Sequence, residues 1–129
     1  METSPTPNGK ATATGSLWLL LLVFVCCPSA LIGQYVVSIS NSASYYDSSM
    51  PGYGIAQGSM MVLFGYQLGP AQLTQNSGFP MPLDLGGTSI KVTVRGVTRN
   101  APIVYTSAGQ VAALLPSSTP PGNGTLLLT

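Results

Sequence analysis

The sequence predicts an all-β protein, an antiparallel β-sandwich behind a helical N-terminal export signal. Three observations carry this expectation. Glycine (15) and proline (11) are abundant among 129 residues, and both break helices and suit turns. Short apolar and β-branched runs alternate with turn residues, and no amphipathic helix is legible outside the N-terminal segment. Charge is scarce: 5% of residues are charged and 45% hydrophobic, against roughly 25% charged in ordinary soluble domains.

The N-terminal segment comes first. "LWLLLLVFV", Leu17–Val25, is an unbroken apolar run. Lys10 and the terminal amine precede it, and "CCPSA" with the helix-breaking Pro28 follows. Basic, apolar and small-residue regions in that order make a secretory signal peptide. The run is too short to span a bilayer, which takes about 20 residues. Cleavage is expected after Ala30, with Ser29 and Gly33 as alternatives, so 1–30 is signal and 31–129 is domain. The competing reading is an uncleaved anchor over 17–33, the only membrane contact the sequence offers. Cys26 and Cys27 are the only cysteines. Both lie in the signal, so the exported domain is held by its core rather than by disulfides.

The domain then reads as a string of strands. "YVVSIS", 35–40, is β-branched and aromatic. "NSASYYDSSMPGYGIAQGS", 41–59, is a turn-rich connection with Pro51-Gly52 at its bend. "MMVLFG", 60–65, is a buried strand by its length and flanking glycines. Residues 66–87 hold three prolines and four glycines and read as one long surface loop. In "TSIKVTV", Ile90, Val92 and Val94 alternate with Lys91 and Thr93, which puts the apolar side chains on one face. Arg95-Gly96 fits a two-residue hairpin turn. Pro102 stands at the head of "IVYTS", where its missing N–H does little harm. "SAGQ" is a turn, "VAALLP" a strand ended by Pro116, "SSTPPGNG" a loop, and "TLLLT" a last strand. The size of 31–129 is near that of one immunoglobulin-like domain of about 100 residues. No internal repeat is present.

"MPGYGIAQGSMMVLFGYQLGP", "FPMPLDLGGTSIKVTVRGV", "APIVYTSAGQVAALLP" and "PPGNGTLLLT", in this order, resemble a family of secreted acidobacterial (Solibacter-type) domains. Members usually lie near the C-terminus of larger exported chains. The resemblance covers residues 38–129 and implies an IPT/TIG-like immunoglobulin-type sandwich; it implies no catalytic residues. The chain departs from the pattern in several places. Arg95 stands where the family favours Asn. "VTRNAP" is longer than the usual connection, and "GQVAALLP" lacks polar alternation. The family pattern also continues into a segment beyond the last strand. The expectation is therefore a sandwich short of its last strand or strands, open to a strand-donating partner.

Residues 31–129 contain no His, Cys or Glu. That excludes histidine-based triads, His/Cys zinc sites and histidine general bases. Asp47 and Asp84 are the only carboxylates there. A carboxylate pair serves glycoside hydrolysis, but both lie in Ser/Gly/Pro-rich stretches and read as solvated loop residues. Asp47 with Ser48 and Ser49 is a thin oxygen set for calcium. Ser89 and Lys91 share a strand face, and an exposed Lys91 stays protonated and cannot serve as a base. "DLGGTS" lacks the lysine and following helix of a phosphate loop. "NGT", Asn123–Thr125, is a glycosylation sequon in form only.

Lys91, Arg95 and Arg99 are the only basic residues after the first ten. Sequence-independent nucleic-acid binding draws on about 6–10 phosphate contacts, which three cations and a net charge of +1 do not supply. They read as charges that keep an exposed hairpin soluble. Tyr45, Tyr46, Tyr53 and Tyr66 are the candidate ligand contacts, since tyrosine faces stack on sugars and suit interfaces. The expected function is non-catalytic and cofactor-free: an exported spacer, or an adhesion or assembly domain of an extracellular or cell-surface protein. Its partners would be other domains or envelope proteins. The alternative is a carbohydrate-binding module that uses the tyrosines on a polysaccharide.

Overall fold

The computed structural model describes Thr3, Gly9 and residues 33–46 and 48–129. The segment expected to be a signal peptide, from residue 10 through the expected cleavage after Ala30, both cysteines and Asp47 lie outside the described residues. Residues 32–129 form one compact unit, and its described part is all β.

Nine strands follow in order: β1 Tyr35–Asn41, β2 Met60–Tyr66, β3 Thr74–Gln75, β4 Asp84–Leu85, β5 Thr88–Val94, β6 Val97–Asn100, β7 Ile103–Thr106, β8 Gln110–Leu114 and β9 Gly124–Leu128. One sheet runs β1-β2-β8-β7-β3; in the other, β5 pairs with β4, β6 and β9. All pairings are antiparallel. The two sheets form a sandwich.

The core follows from strand periodicity. In β5 the side chains of Thr88, Ile90, Val92 and Val94 are buried and Lys91 is exposed, as period-2 alternation demands. Met61 and Leu63 of β2 sit opposite Ala113 and Val111 of β8, and these join Ile90, Val92, Val94 and Ile103 in one cluster. A polar bond crosses between the sheets. Thr88 Oγ1 and Thr106 Oγ1 are 2.9 Å apart, and both residues are buried.

Two turns explain the hairpins. Arg95 (φ 49°) and Gly96 (φ 78°) both lie in the left-handed region between the paired Val94 and Val97. This is the two-residue turn that matches strand twist, made here with Arg at the position Asn favours. Gly86 (φ 59°) and Gly87 (φ 80°) close a second one between Leu85 and Thr88.

The second hairpin corrects one expectation. Residues 66–87 are not one long loop: β3 and β4 lie inside it, and Leu68 is fully buried. Two-residue strands carry no readable period, so nothing in that proline-rich stretch announces them. The last strand, "TLLLT", is seated on β5 from Ile90↔Leu128 to Val94↔Gly124. Ser89 and Thr129 exchange a further pair of backbone hydrogen bonds at 2.9 and 3.0 Å.

Candidate functional site

An open cleft of about 650 Å³ lies at one side of the sandwich. Ile39 of edge strand β1 and Leu126 of edge strand β9 flank it, and Met61, Val92 and Val94 form its floor. Residues 53–57 and 119–123 complete the wall. None of its lining residues is charged. The volume falls within the roughly 300–1,000 Å³ of ligand sites.

The polar groups of the cleft come from loops. Gln57 Nε2 donates to the Thr119 carbonyl and ties the two loop walls together. Thr119 N–H donates to Pro116 O at 3.0 Å. The Thr119 side chain is only 1% exposed, and its hydroxyl has no hydrogen-bond partner among the described residues. A buried hydroxyl left without a partner costs about 1–3 kcal/mol.

The arginines of the β5–β6 hairpin reach the same loop. Arg99 Nε donates to Ser118 Oγ at 3.2 Å. A side chain at Gly122 would meet Arg95 Nε at 3.3 Å, so the guanidinium lies against that glycine. Lys91 points outward from β5 and is exposed. The basic trio is thus not one patch with one role, since two of its members brace the 117–123 loop.

The four tyrosines sit in different environments. Tyr53 lines the cleft and is half-exposed. Tyr66 ends β2 opposite Tyr35, and both are exposed. Tyr46 is exposed, its N–H 3.4 Å from Ser44 Oγ. Tyr45 adopts φ 52°, with its N–H donating to Asn41 O at 2.9 Å and its ring 6.4 Å from Phe64. Phe64 pairs with Gln110, whose side chain donates to Tyr105 Oη at 2.6 Å. Burial, with the Tyr45 phenol adding to it, pushes the Tyr105 phenol above its usual value of 10.0. Tyr45, Phe64, Gln110 and Tyr105 therefore make one aromatic and polar group on the outer face of the first sheet. Tyr105 and Gln110 were not legible as part of it, because strand pairing brings them together.

The remaining candidates have local roles. Asp84 Oδ1 accepts from Gly87 N–H at 3.2 Å, which holds the β4–β5 turn. "DLGGTS" runs from that turn into strand β5, so its glycines turn a hairpin. Asn123 is exposed on the cleft wall. Thr119 and Gln57 were missed in the sequence for want of any motif; only loop packing reveals them. No protein-family model matches the chain, and neither a curated protein nor a solved structure matches it.

Proposed function

We propose that this protein is a non-catalytic, exported, immunoglobulin-like module that joins or spaces other parts of an extracellular or cell-surface protein. One observation carries the reading: the cleft is largely apolar, and no carboxylate, lysine or arginine is among its lining residues. General acid–base catalysis draws on a positioned titratable group, and binding draws on an apolar, partly polar concavity. Asp84 supports the same reading, because its carboxylate is engaged in its own turn. The test is to assay the purified chain against ester, glycoside and peptide substrates. Absence of turnover is expected, and turnover lost on Asp84→Asn would overturn the proposal.

A second reading has its own observation. Tyr45 stands over Phe64 beside Tyr105, an aromatic grouping suited to stacking on a sugar ring. Affinity electrophoresis through polysaccharide gels tests it. Retardation abolished by Tyr45→Ala supports carbohydrate binding, and unchanged mobility on every glycan removes it.

A further inference from the structure

We propose that the outer face of the first sheet binds a linear, uncharged polysaccharide, laid across β1, β2, β8 and β7 with its sugar rings on Tyr66 and Tyr45. The inference rests on the carbohydrate-binding reading, and gives it a ligand class and a platform. Strand alternation defines the face. Met61 and Leu63 of β2 enter the core, so Val62, Phe64 and Tyr66 point the other way. Pairing sets Tyr35 and Ser38 of β1 beside Tyr66 and Phe64, and Gln110 of β8 on the other side of Phe64. Val62 pairs with Ala112, and Ala112 with Tyr105 of β7, so Tyr105 shares the face. Four strands set about 4.8 Å apart span about 14 Å, which is longer than one sugar ring and suits a chain.

Rings and amides are what this face offers. Its aliphatic centre, Val62 and Ala112, is already buried. Tyr35 and Tyr66 stand directly opposite each other and are 61% and 64% exposed. Tyr45 is exposed as well, although its ring lies 6.4 Å from that of Phe64. Gln67 and Gln75 are exposed beside them. A sugar has the matching chemistry: its C–H face packs on a phenol ring, and its hydroxyls bond to amide and hydroxyl groups around the ring. A protein interface centres on an apolar core, and here that centre is already filled.

The backbone is strained where it holds these rings. Tyr45 adopts φ 52°, and Gln67, the residue after Tyr66, adopts φ 54°. Non-glycine residues are uncommon in the left-handed region, and such strain clusters at ligand clamps. Asn41 pins the Tyr45 turn twice. Its carbonyl accepts from Tyr45 N–H at 2.9 Å, and its Oδ1 accepts from Ala43 N–H at 2.9 Å. Charge then selects the class of glycan. β1, β2, β3, β7 and β8 contain no Asp, Glu, Lys or Arg. Lys91 and Arg99 belong to β5 and β6 of the other sheet, and Arg95 to the turn between them. Asp47, which follows the Tyr45–Tyr46 pair in the sequence, is itself an acid. An acidic polysaccharide therefore finds no cation on this face, and a neutral one needs none.

The test is isothermal titration calorimetry of the full chain, produced in an exporting host. The neutral probes are the cello-, xylo-, manno- and laminari-oligosaccharides in rising length, and the acidic probe is oligogalacturonate. Binding to a neutral series is expected, tighter with each added unit until the face is filled and unchanged by salt. A tyrosine ultraviolet difference spectrum is expected to accompany it. Tyr66→Ala and Tyr45→Asn are each expected to raise Kd by about 10-fold or more, the scale on which loss of an anchoring tyrosine is felt. Both side chains are exposed, and asparagine accepts the left-handed backbone at position 45, so both variants keep the fold, which thermal unfolding checks. Lys91→Gln, on the other sheet, is expected to leave Kd unchanged. Binding to oligogalacturonate alone, or binding lost at high salt, overturns the proposal and leaves the carbohydrate-binding reading standing. Neutral-glycan binding lost in Tyr45→Asn and untouched by Tyr66→Ala does the same, since it confines the site to the Tyr45 cluster. Absence of binding to every probe, or binding indifferent to both tyrosine variants, overturns the proposal and that reading together.

Discussion

The hydroxyls of Thr88 and Thr106 show how much a single pair can hold. They meet at 2.9 Å between the sheets, and Gly69 lies so close that a Cβ there would be 2.1 Å from Thr106 Oγ1. Thr106→Val keeps the shape and strands the Thr88 hydroxyl, so it is expected to cost about 1–3 kcal/mol. Adding Thr88→Val removes the orphan and should recover most of that loss, because two apolar groups of the same shape need no partner. Urea unfolding of the singles and the double measures the coupling, and purely additive losses would contradict it. Thr119 is the opposite case. Its buried hydroxyl is unpartnered, so Thr119→Val should stabilise by about 1 kcal/mol or more. A loss of stability instead would mean that the hydroxyl is bonded in solution, by water or by a ligand in the cleft. None of these roles was legible from residue type. Threonine reads as an ordinary strand or loop residue, and Thr88 and Thr106 are 18 positions apart.

At the scale of elements, legibility tracked period and length. β5 shows its fold openly because seven residues of alternation leave one consistent inward face. β8 hid its outward face: Ala112 is buried as deeply as its inward neighbours Val111 and Ala113. Ala112 is opposed by Tyr105 on β7 and Val62 on β2, and that covering explains the absent polar alternation. β3 and β4 were invisible because two residues cannot show a period. The Arg95-Gly96 turn was legible in its glycine and in conflict at its arginine. A non-glycine residue in the left-handed region costs roughly 1 kcal/mol, and asparagine is favoured there. Arg95→Asn is therefore expected to raise stability by up to about 1 kcal/mol, a Tm rise of roughly 4–8 °C for a domain of this size. A clear fall in Tm would mean that the guanidinium against Gly122 does more for the 117–123 loop than the turn strain costs.

For the whole molecule, the scarcity of charge decides how stability responds to solution conditions. The chain has no histidine and a net charge of +1, so no imidazole changes charge between about pH 5 and 8 and self-repulsion is small. That much is plain in the sequence. The cleft was not, since it depends on which sheet each strand joins, and pairing β9 with β5 is a long-range event. The same distance in sequence hides the raised titration of the Tyr105 phenol. Its phenol is raised above 10.0 by burial first and by Tyr45 second. Below pH 10 the phenol is neutral in folded and unfolded chains alike, and pH has no leverage through it. As pH rises past 10, the unfolded chain releases this proton first and so binds fewer protons than the folded one. The stability of the fold must then decline with pH until the folded phenol ionises as well. Wild type is therefore expected to lose more stability than Tyr105→Phe on going from pH 9 to pH values above 10. The lost Gln110 hydrogen bond offsets the variant by a constant amount below that window. Denaturant midpoints of the two proteins, measured in parallel across the range, test this by their difference. A gap that stays constant through alkaline pH would mean that Tyr105 is hydrated in solution, and that Tyr45 and Phe64 do not close over it.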